Sequence, residues 1–263
     1  PFMLMEVNTR KPPLSDVRVR QAMAFAIDRD RMTKLVWMNY GKPAVSPIPS
    51  PVTTFHSTDL PKYDLNLDKA KQLLDEAGWV DSDGDGVRDK DGTLLELRLV
   101  TNQRQIRVDV QAIAQQQLGD LGIALTLENY PSEVFFASYA DDGPTSRGEY
   151  DIQEFSSAPS FPDPDVSRFL SSQIPSEENP EGTNDHGYRS EQMDALLAQQ
   201  STTTDPAARA AIFHQIDQLL TDDVIWVGIW YDPDLWAISN RFADTRISGS
   251  DPFWNIANWQ VVS

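Results

Sequence analysis

The stretch from Leu94 to Tyr130 constrains the fold more than any other part of the chain. LLELRLVT, residues 94 to 101, alternates Leu95, Leu97 and Leu99 with Glu96 and Arg98, the period-2 pattern of a half-buried strand. Ile106, Val110, Ile113 and Leu121 then recur near one face of a helix, and Gly122 suits its C-terminal stop. IALTLENY, 123 to 130, is a second strand with Ile123, Leu125 and Leu127 on one side. Strand, helix and strand in this order predict a right-handed crossover and parallel pairing.

Other elements extend this unit into an α/β (α+β) chain. YDIQEF, 150 to 155, predicts a third strand, and VIWVGIWY, 224 to 231, is apolar on both faces as a central buried strand requires. Trp226 and Trp230 are expected on one face of that strand, as core packing. Helices are expected near 190 to 200, through Met193, Leu196 and Leu197, and over 206 to 221, through Ile212, Ile216 and Leu219. Asp205-Pro206 marks the start of the second, an acidic cap followed by proline at the first helical position. Proline-rich stretches at 41 to 61 and 156 to 189 read as long irregular connections, and no repeat of fixed period is present. Residues 232 to 263 form a tail with Trp236, Trp254 and Trp259 but little periodicity.

With 263 residues, 40% apolar and 10% aromatic, the chain can bury a substantial core. No apolar run is long enough to cross a bilayer. Forty acidic residues against 22 basic ones give a formal charge of −18, which repels phosphate backbones and argues against nucleic-acid binding. Cysteine is absent, so disulfides, thiol catalysis and cysteine metal sites are excluded, and compartment is left open. Pro1-Phe2-Met3 shows neither a signal peptide nor a lipid-attachment cysteine. The expectation is a leader already removed or an internal piece of a longer chain.

PPLSDVRVRQAMAFAIDRD, 12 to 30, places Val19, Ala22, Met23 and Ala26 on one helix face. Ser15 is positioned to cap that helix, with Asp16 in its first turn, and Pro12 and Pro13 are expected to keep the preceding chain extended. RDRM, 29 to 32, reads as a solvated helix start. Together with YDLNLDKAKQLLDEAGW at 63 to 79, this wording resembles the family-5 extracytoplasmic solute-binding proteins, the peptide/nickel/oligopeptide receptors of ABC importers. The resemblance runs from about Asn8 to about Tyr231. It implies a periplasmic-binding-protein-like type II lobe, a mixed sheet flanked by helices. Members of the family are longer and begin with a segment that builds most of a first lobe. Residues 1–231 are therefore expected to form the second, C-terminal lobe, and 232–263 a tail returning to the missing N-terminal lobe. The resemblance also implies a non-enzymatic receptor, periplasmic or tethered outside the cell membrane. Such a receptor closes on a peptide or other polar small solute and delivers it to a membrane permease, with no cofactor required.

The expected cleft segment departs from the family pattern. Peptide-binding members often read D-x-x-x-x-x-W-x-A-D-Y-P-D-P, and the second aspartate of that pattern pairs with the peptide's ammonium. Here the stretch is DIQEFSSAPSFPDP, in which Asp151, Phe161, Pro162, Asp163 and Pro164 keep the frame. Ser157 stands at the tryptophan position and Ser160 at the ammonium-binding aspartate. A neutral hydroxyl does not replace a carboxylate opposite an ammonium, so a longer peptide held by its backbone, or another solute, is expected. The candidate ligand contacts are Phe155, Ser157, Ser160, Phe161, Asp163, Asp165 and His186, with Tyr139 and the loop around Arg147 also candidates for the cleft.

A second constellation is DSDGDGVRDKDG, 81 to 92. Asp81, Asp83, Asp85 and Gly86 match the first half of a calcium loop, Val87 offers its carbonyl, and Asp89 stands at the ninth position. Gly92 occupies the twelfth place, where such loops carry a bidentate glutamate. The segment reads either as a structural calcium site or as a glycine-rich hairpin turn. His56, His186 and His214 are far apart, and neither a two-histidine helical motif, a nucleophile elbow nor a phosphate-binding glycine loop is present. The competing functions are a secreted acidic carbohydrate-active hydrolase working through a carboxylate pair, and a calcium-binding surface module. The hydrolase would leave both family-like helices unexplained.

Overall fold

The structure is a computed structural model that describes residues 1–48, 54–158, 160, 163–233, 235–248 and 251–262. In chain order it begins with β1 (Phe2–Val7), α1 (Val17–Ala26), α2 (Arg29–Trp37), β2 (Lys42–Pro43) and α3 (Leu67–Glu76). Next come β3 (Asp89–Lys90), β4 (Thr93–Leu94), β5 (Glu96–Asn102), α4 (Gln105–Gly119), β6 (Ala124–Tyr130), α5 (Ser132–Phe135) and β7 (Ile152–Ser157). The remainder is α6 (Glu191–Thr202), α7 (Pro206–Asp223), β8 (Trp226–Tyr231), β9 (Phe242–Ala243) and β10 (Gln260–Val261).

Six strands form one mixed sheet in the order β2-β8-β1-β7-β5-β6. The expected strand-helix-strand unit is present: β5 and β6 pair in parallel from Glu96↔Ala124 to Asn102↔Tyr130, with α4 crossing between them. Val110, Ala114 and Leu118 of α4 are buried against the sheet, and Gln111 Nε2 donates to Leu99 O at 2.8 Å. Gly122, with φ of 88°, makes the left-handed turn after α4 that a side chain would resist. The third strand, β7, pairs in parallel with β5 and antiparallel with β1, and β1 in turn pairs antiparallel with β8. The strands β5, β6, β7 and β8 therefore run the same way, with β1 opposed to them.

The first strand was not expected from the sequence, yet all six residues of β1 are buried. Met3, Met5 and Val7 face the main core, which they share with α1, α3 and α4. Phe2, Leu4 and Glu6 face the other side, where Phe155, Tyr150 and Trp226 gather. The expected face of α1 is fully borne out, since Val19, Ala22, Met23 and Ala26 are all buried. Its cap is Asp16 rather than Ser15: the Asp16 carboxylate accepts from Arg18 N at 2.9 Å. Pro12 and Pro13 lie in a turn, closed by Ser15 N on Lys11 O at 3.1 Å, instead of an extended lead-in. The start of α7 is as read, with Asp205 accepting from Ala208 N and Pro206 in the first turn.

Trp226 and Trp230 do not share a face. The register of β8 against β1 slips between Met3 and Leu4, where Met3 pairs with Trp230 but Leu4 with Gly228. The extra residue is a β-bulge, which reverses the side-chain phase beyond it. Ile229 and Trp230 both enter the main core, whereas Trp226 lies on the opposite side against Phe2 and Phe169.

Arg29 is likewise no solvated residue. Its guanidinium donates to Gly228 O (2.7 Å), Tyr63 O (2.7 Å), Ala24 O (3.1 Å) and Ile27 O (3.4 Å), and burial lowers its pKa to about 10. It thereby ties the α1–α2 corner to β8 and to the connection before α3. Replacing Arg29 with Ala leaves four carbonyls unmet and is expected to cost about 3 kcal/mol. A lowered urea midpoint at unchanged m-value would be the signature of that loss.

Candidate functional site

Open α/β sheets bind ligands outside the carboxyl ends of their strands, where neighbouring connections part. Here β5, β6, β7 and β8 end together at Asn102, Tyr130, Ser157 and Tyr231, and β1 begins at the same edge with Phe2. Two concavities open at this edge. A slot of about 110 Å³ lies between Phe2, Ile48, Phe169, Trp226, Ser157 and Ser160. A wider groove of about 390 Å³ runs past Phe136, Tyr139, Glu181, Thr183 and Asp185. Asp165 and Arg168 line both.

Arg168 stands on a short 3-10 turn, Ser167–Phe169, whose lead-in is fixed by Asp165 Oδ1 accepting from Ser167 N (3.0 Å) and Oγ (2.7 Å). Its guanidinium lies 4.9 Å from the Trp226 ring and 5.7 Å from the Phe155 ring, a favourable placement for a cation. Arg168 Nη2 donates to Glu6 Oε2 at 3.1 Å. Glu6 is fully buried in β1 and also accepts from Trp226 Nε1 (2.6 Å), Gln153 Nε2 (2.5 Å) and Tyr150 OH (3.3 Å). Arg168 Nε, though buried, has no hydrogen-bond partner. Neither Glu6 nor Arg168 was singled out in the sequence. The one available signal was an acid set inside the apolar run FMLMEV.

Of the expected ligand contacts, Ser157, Ser160 and Asp165 come together at the slot. Phe161 lies outside the described residues. Phe155 is buried beneath Arg168 and lines neither concavity. Asp163 is drawn away by Arg209, which it meets at 2.8 Å. His186 is fully buried behind Phe169, its ring stacked 5.4 Å away, and lines neither concavity. Burial, with Arg168 and Arg10 nearby, holds its pKa well below the usual range and keeps it neutral. Tyr139 does line the groove, while Arg147 stacks on its ring at 4.3 Å and pairs with Asp142 at 2.7 Å.

Asp185 is an acid of the groove lining with a shifted pKa. Burial, then the neighbouring Glu6, raises its pKa from 3.8 to about 7. A carboxyl whose folded pKa is raised contributes stability that is complete below its unfolded pKa and is lost as pH rises through the folded value. Asp185→Asn is therefore expected to unfold at higher denaturant than wild type at about pH 8, with the advantage gone near pH 4. Paired denaturation curves at the two pH values measure this directly.

The aspartate loop stands apart from this edge. Asp81, Asp83 and Asp85 bring carboxylate oxygens within 4.8 Å of one another, all exposed. Asp89 is not among them, because its Oδ2 accepts from Ser82 N and Oγ at 2.9 and 2.7 Å. The loop closes on itself: Asp81 accepts from Gly84 N and Gly86 N, Asp83 from Asp85 N, and Asp85 from Val87 N. A short hairpin follows, Asp89↔Leu94 and Lys90↔Thr93. With these bonds formed from within, a chelator is expected to leave the melting temperature unchanged. A calcium-dependent rise of several degrees would show that the loop needs an ion.

Comparison with known proteins converges on one family. Residues 2–179 match the family model of bacterial extracellular solute-binding proteins, family 5, middle region. The oligopeptide-binding protein AppA of Bacillus subtilis (strain 168) is 28% identical over 256 residues, covering 96% of this chain and 45% of its own. The structure of AppA from Bacillus subtilis in complex with a nonapeptide superposes on 100% of this chain and 51% of that one, at TM-score 0.84 and 27% identity. NikA from Brucella suis, solved with Fe(III)-EDTA, gives a TM-score of 0.73 at 25% identity, over 87% of this chain and 44% of that one. The chain spans about half the length of these relatives. Its mixed sheet and flanking helices are the type II periplasmic-binding-protein architecture that the sequence led us to expect. The chain belongs to family 5 of the bacterial extracellular solute-binding proteins.

Proposed function

We propose that this chain is one lobe of a two-lobed receptor that captures a peptide-like or other polar solute outside the cytoplasm and delivers it to an ABC permease. The observation that carries this reading is the paired slot and groove at the carboxyl edge of a family-5 sheet, with a buried-acid-anchored arginine between them. AppA, similar along almost the whole chain, is an oligopeptide-binding protein whose structure holds a nonapeptide, which favours peptides as the solute class. Both concavities are open, so a second lobe closing over them would supply the remaining contacts and exclude water.

The path of the chain supports a lobe on that side. β1 and β8 lie next to each other, and Asp232 N donates to Pro1 O at 2.9 Å where both meet the carboxyl edge. Two neighbouring strands are then the connection about which lobes would turn. Beyond Tyr231 the tail exposes Leu235, Trp236, Phe253, Trp254, Ile256 and Val261, more apolar surface than a free segment normally presents. Contact with the N-terminal lobe would cover it. Among the described residues no helix is long and apolar enough to cross a membrane, and the receptor role needs none in this lobe.

In this reading the protein does no covalent chemistry: residues 1–231 bind, and the permease transports. Native mass spectrometry of the whole gene product, gently purified, tests it. A co-purified series of peptides is the expected result. A bound sugar or metal chelate would move the solute class, and an empty protein that ignores a broad ligand panel would overturn the receptor reading.

A further inference from the structure

Arg18, Arg88, Arg98 and Arg209 each meet a carboxylate, as a chain with 40 acidic and 22 basic residues readily allows. Arg10, Arg20 and Arg189 do not. Among the described residues none of the three is in an ion pair, yet all line one concavity of about 470 Å³. The one acid among its described lining residues is Asp223, whose Oδ2 already accepts from Tyr188 OH. Three guanidiniums against one carboxylate leave the lining net positive, in a chain of formal charge −18. The concavity lies at the far end of the sheet from the slot. β1 runs from Phe2 at the carboxyl edge to Val7, with Thr9 and Arg10 just beyond, and α7 ends at Asp223 just before β8 begins. None of the described residues lines both this concavity and the slot or groove.

Each lining group is set in a different way. Arg20 is only 5% exposed, and it donates Nε to Asp223 O (2.7 Å) and Nη1 to Leu14 O (2.8 Å). Neutral carbonyls thus fix its position without cancelling its charge, and a buried charge lacking a counter-ion is costly. Arg10 lies across two glycines in the left-handed region, Gly148 (φ 70°) and Gly187 (φ 67°). A Cβ on Gly148 would stand 2.6 Å from Arg10 Nη1, and one on Gly187 2.8 Å from its Nε, closer than side chains tolerate. The side chain of Arg189 is exposed and makes no hydrogen bond or ion pair among the described residues. Ser15 yields the α1 cap to Asp16, and its hydroxyl likewise has no partner among the described residues. Guanidinium forks and a free hydroxyl donor together match the oxygens of a phosphate-type anion. We propose that Arg10, Arg20 and Arg189, with the Ser15 hydroxyl, form a binding site for a small phosphate-type oxyanion, apart from the slot and the groove. The bound anion joins the exit of β1, the start of α1 and the connection before α6 through one set of charges.

Isothermal titration of inorganic phosphate into the whole gene product tests this at about pH 8, where phosphate is mostly dianionic. Sodium chloride at equal ionic strength is the reference. Phosphate is expected to bind with a Kd on the order of 0.1 mM, and chloride not measurably. Arg189→Gln, at an exposed residue with no partner to lose, is expected to weaken phosphate about tenfold. Arg31→Gln removes the same charge from an exposed position on α2 and is expected to leave phosphate binding unchanged. Should Arg189→Gln fail to fold, Ser15→Ala, which removes one exposed hydroxyl, carries the same comparison with a loss of about fivefold. Absence of phosphate binding, binding that survives Arg189→Gln intact, or equal weakening by Arg31→Gln would overturn the assignment. The comparison does not depend on the transported solute, so its failure leaves the receptor reading untouched.

Discussion

Glu6, a carboxyl buried in the middle of the sheet, is met by donors from three directions. Gln153 comes from the neighbouring strand β7, Trp226 from β8 on the other side, and Arg168 from the connection that follows β7. An unmet carboxyl there would cost several kcal/mol, so these groups are held to their places. The proline-rich connection after β7 is also pressed against the sheet edge by Val166 and Phe169, the latter packed on Trp226. Through Arg168 it becomes one wall of the slot and one wall of the groove. One acid, on the strand least visible in the sequence, thus gathers side chains from β7, β8 and the connection that walls the site.

What could be read in advance was local. The alternation of 94–101, the helix that follows and the strand at 123–130 all formed, because their patterns are complete within short windows. The buried face of α1 and the cap and proline of α7 were legible for the same reason. The strand β1 was not: FMLMEV is buried on both faces, so it has no alternation. The bulge in β8 escaped because periodicity assumes an unbroken phase. Arg29 looked like a surface residue because its carbonyl partners are set by the tertiary fold.

The site divides in the same manner. Ser157 and Ser160 came from a motif frame and Asp165 from the acid just beyond it, and the fold brings all three to one slot. His186 and Phe155 lie near the slot but are buried and line neither concavity. Asp163 was lost to Arg209, a partner 46 residues away that no local pattern could supply. Arg168 and Glu6 acquire meaning only as a pair, and 162 residues separate them. Such long-range pairs join the wall to several elements at once.

The bulge in β8 has a bearing on how such a lobe can change over time. Before it, Trp226 faces the slot and Arg168; after it, Ile229 and Trp230 face the main core. One six-residue strand therefore serves two sides of the sheet, with Val227, Ile229 and Trp230 in the main core and Trp226 and Tyr231 on the side of the slot. A substitution at Trp226 alters the slot wall, whereas one at its neighbour Val227 already touches the main core, so adjacent positions of one strand are held by different constraints.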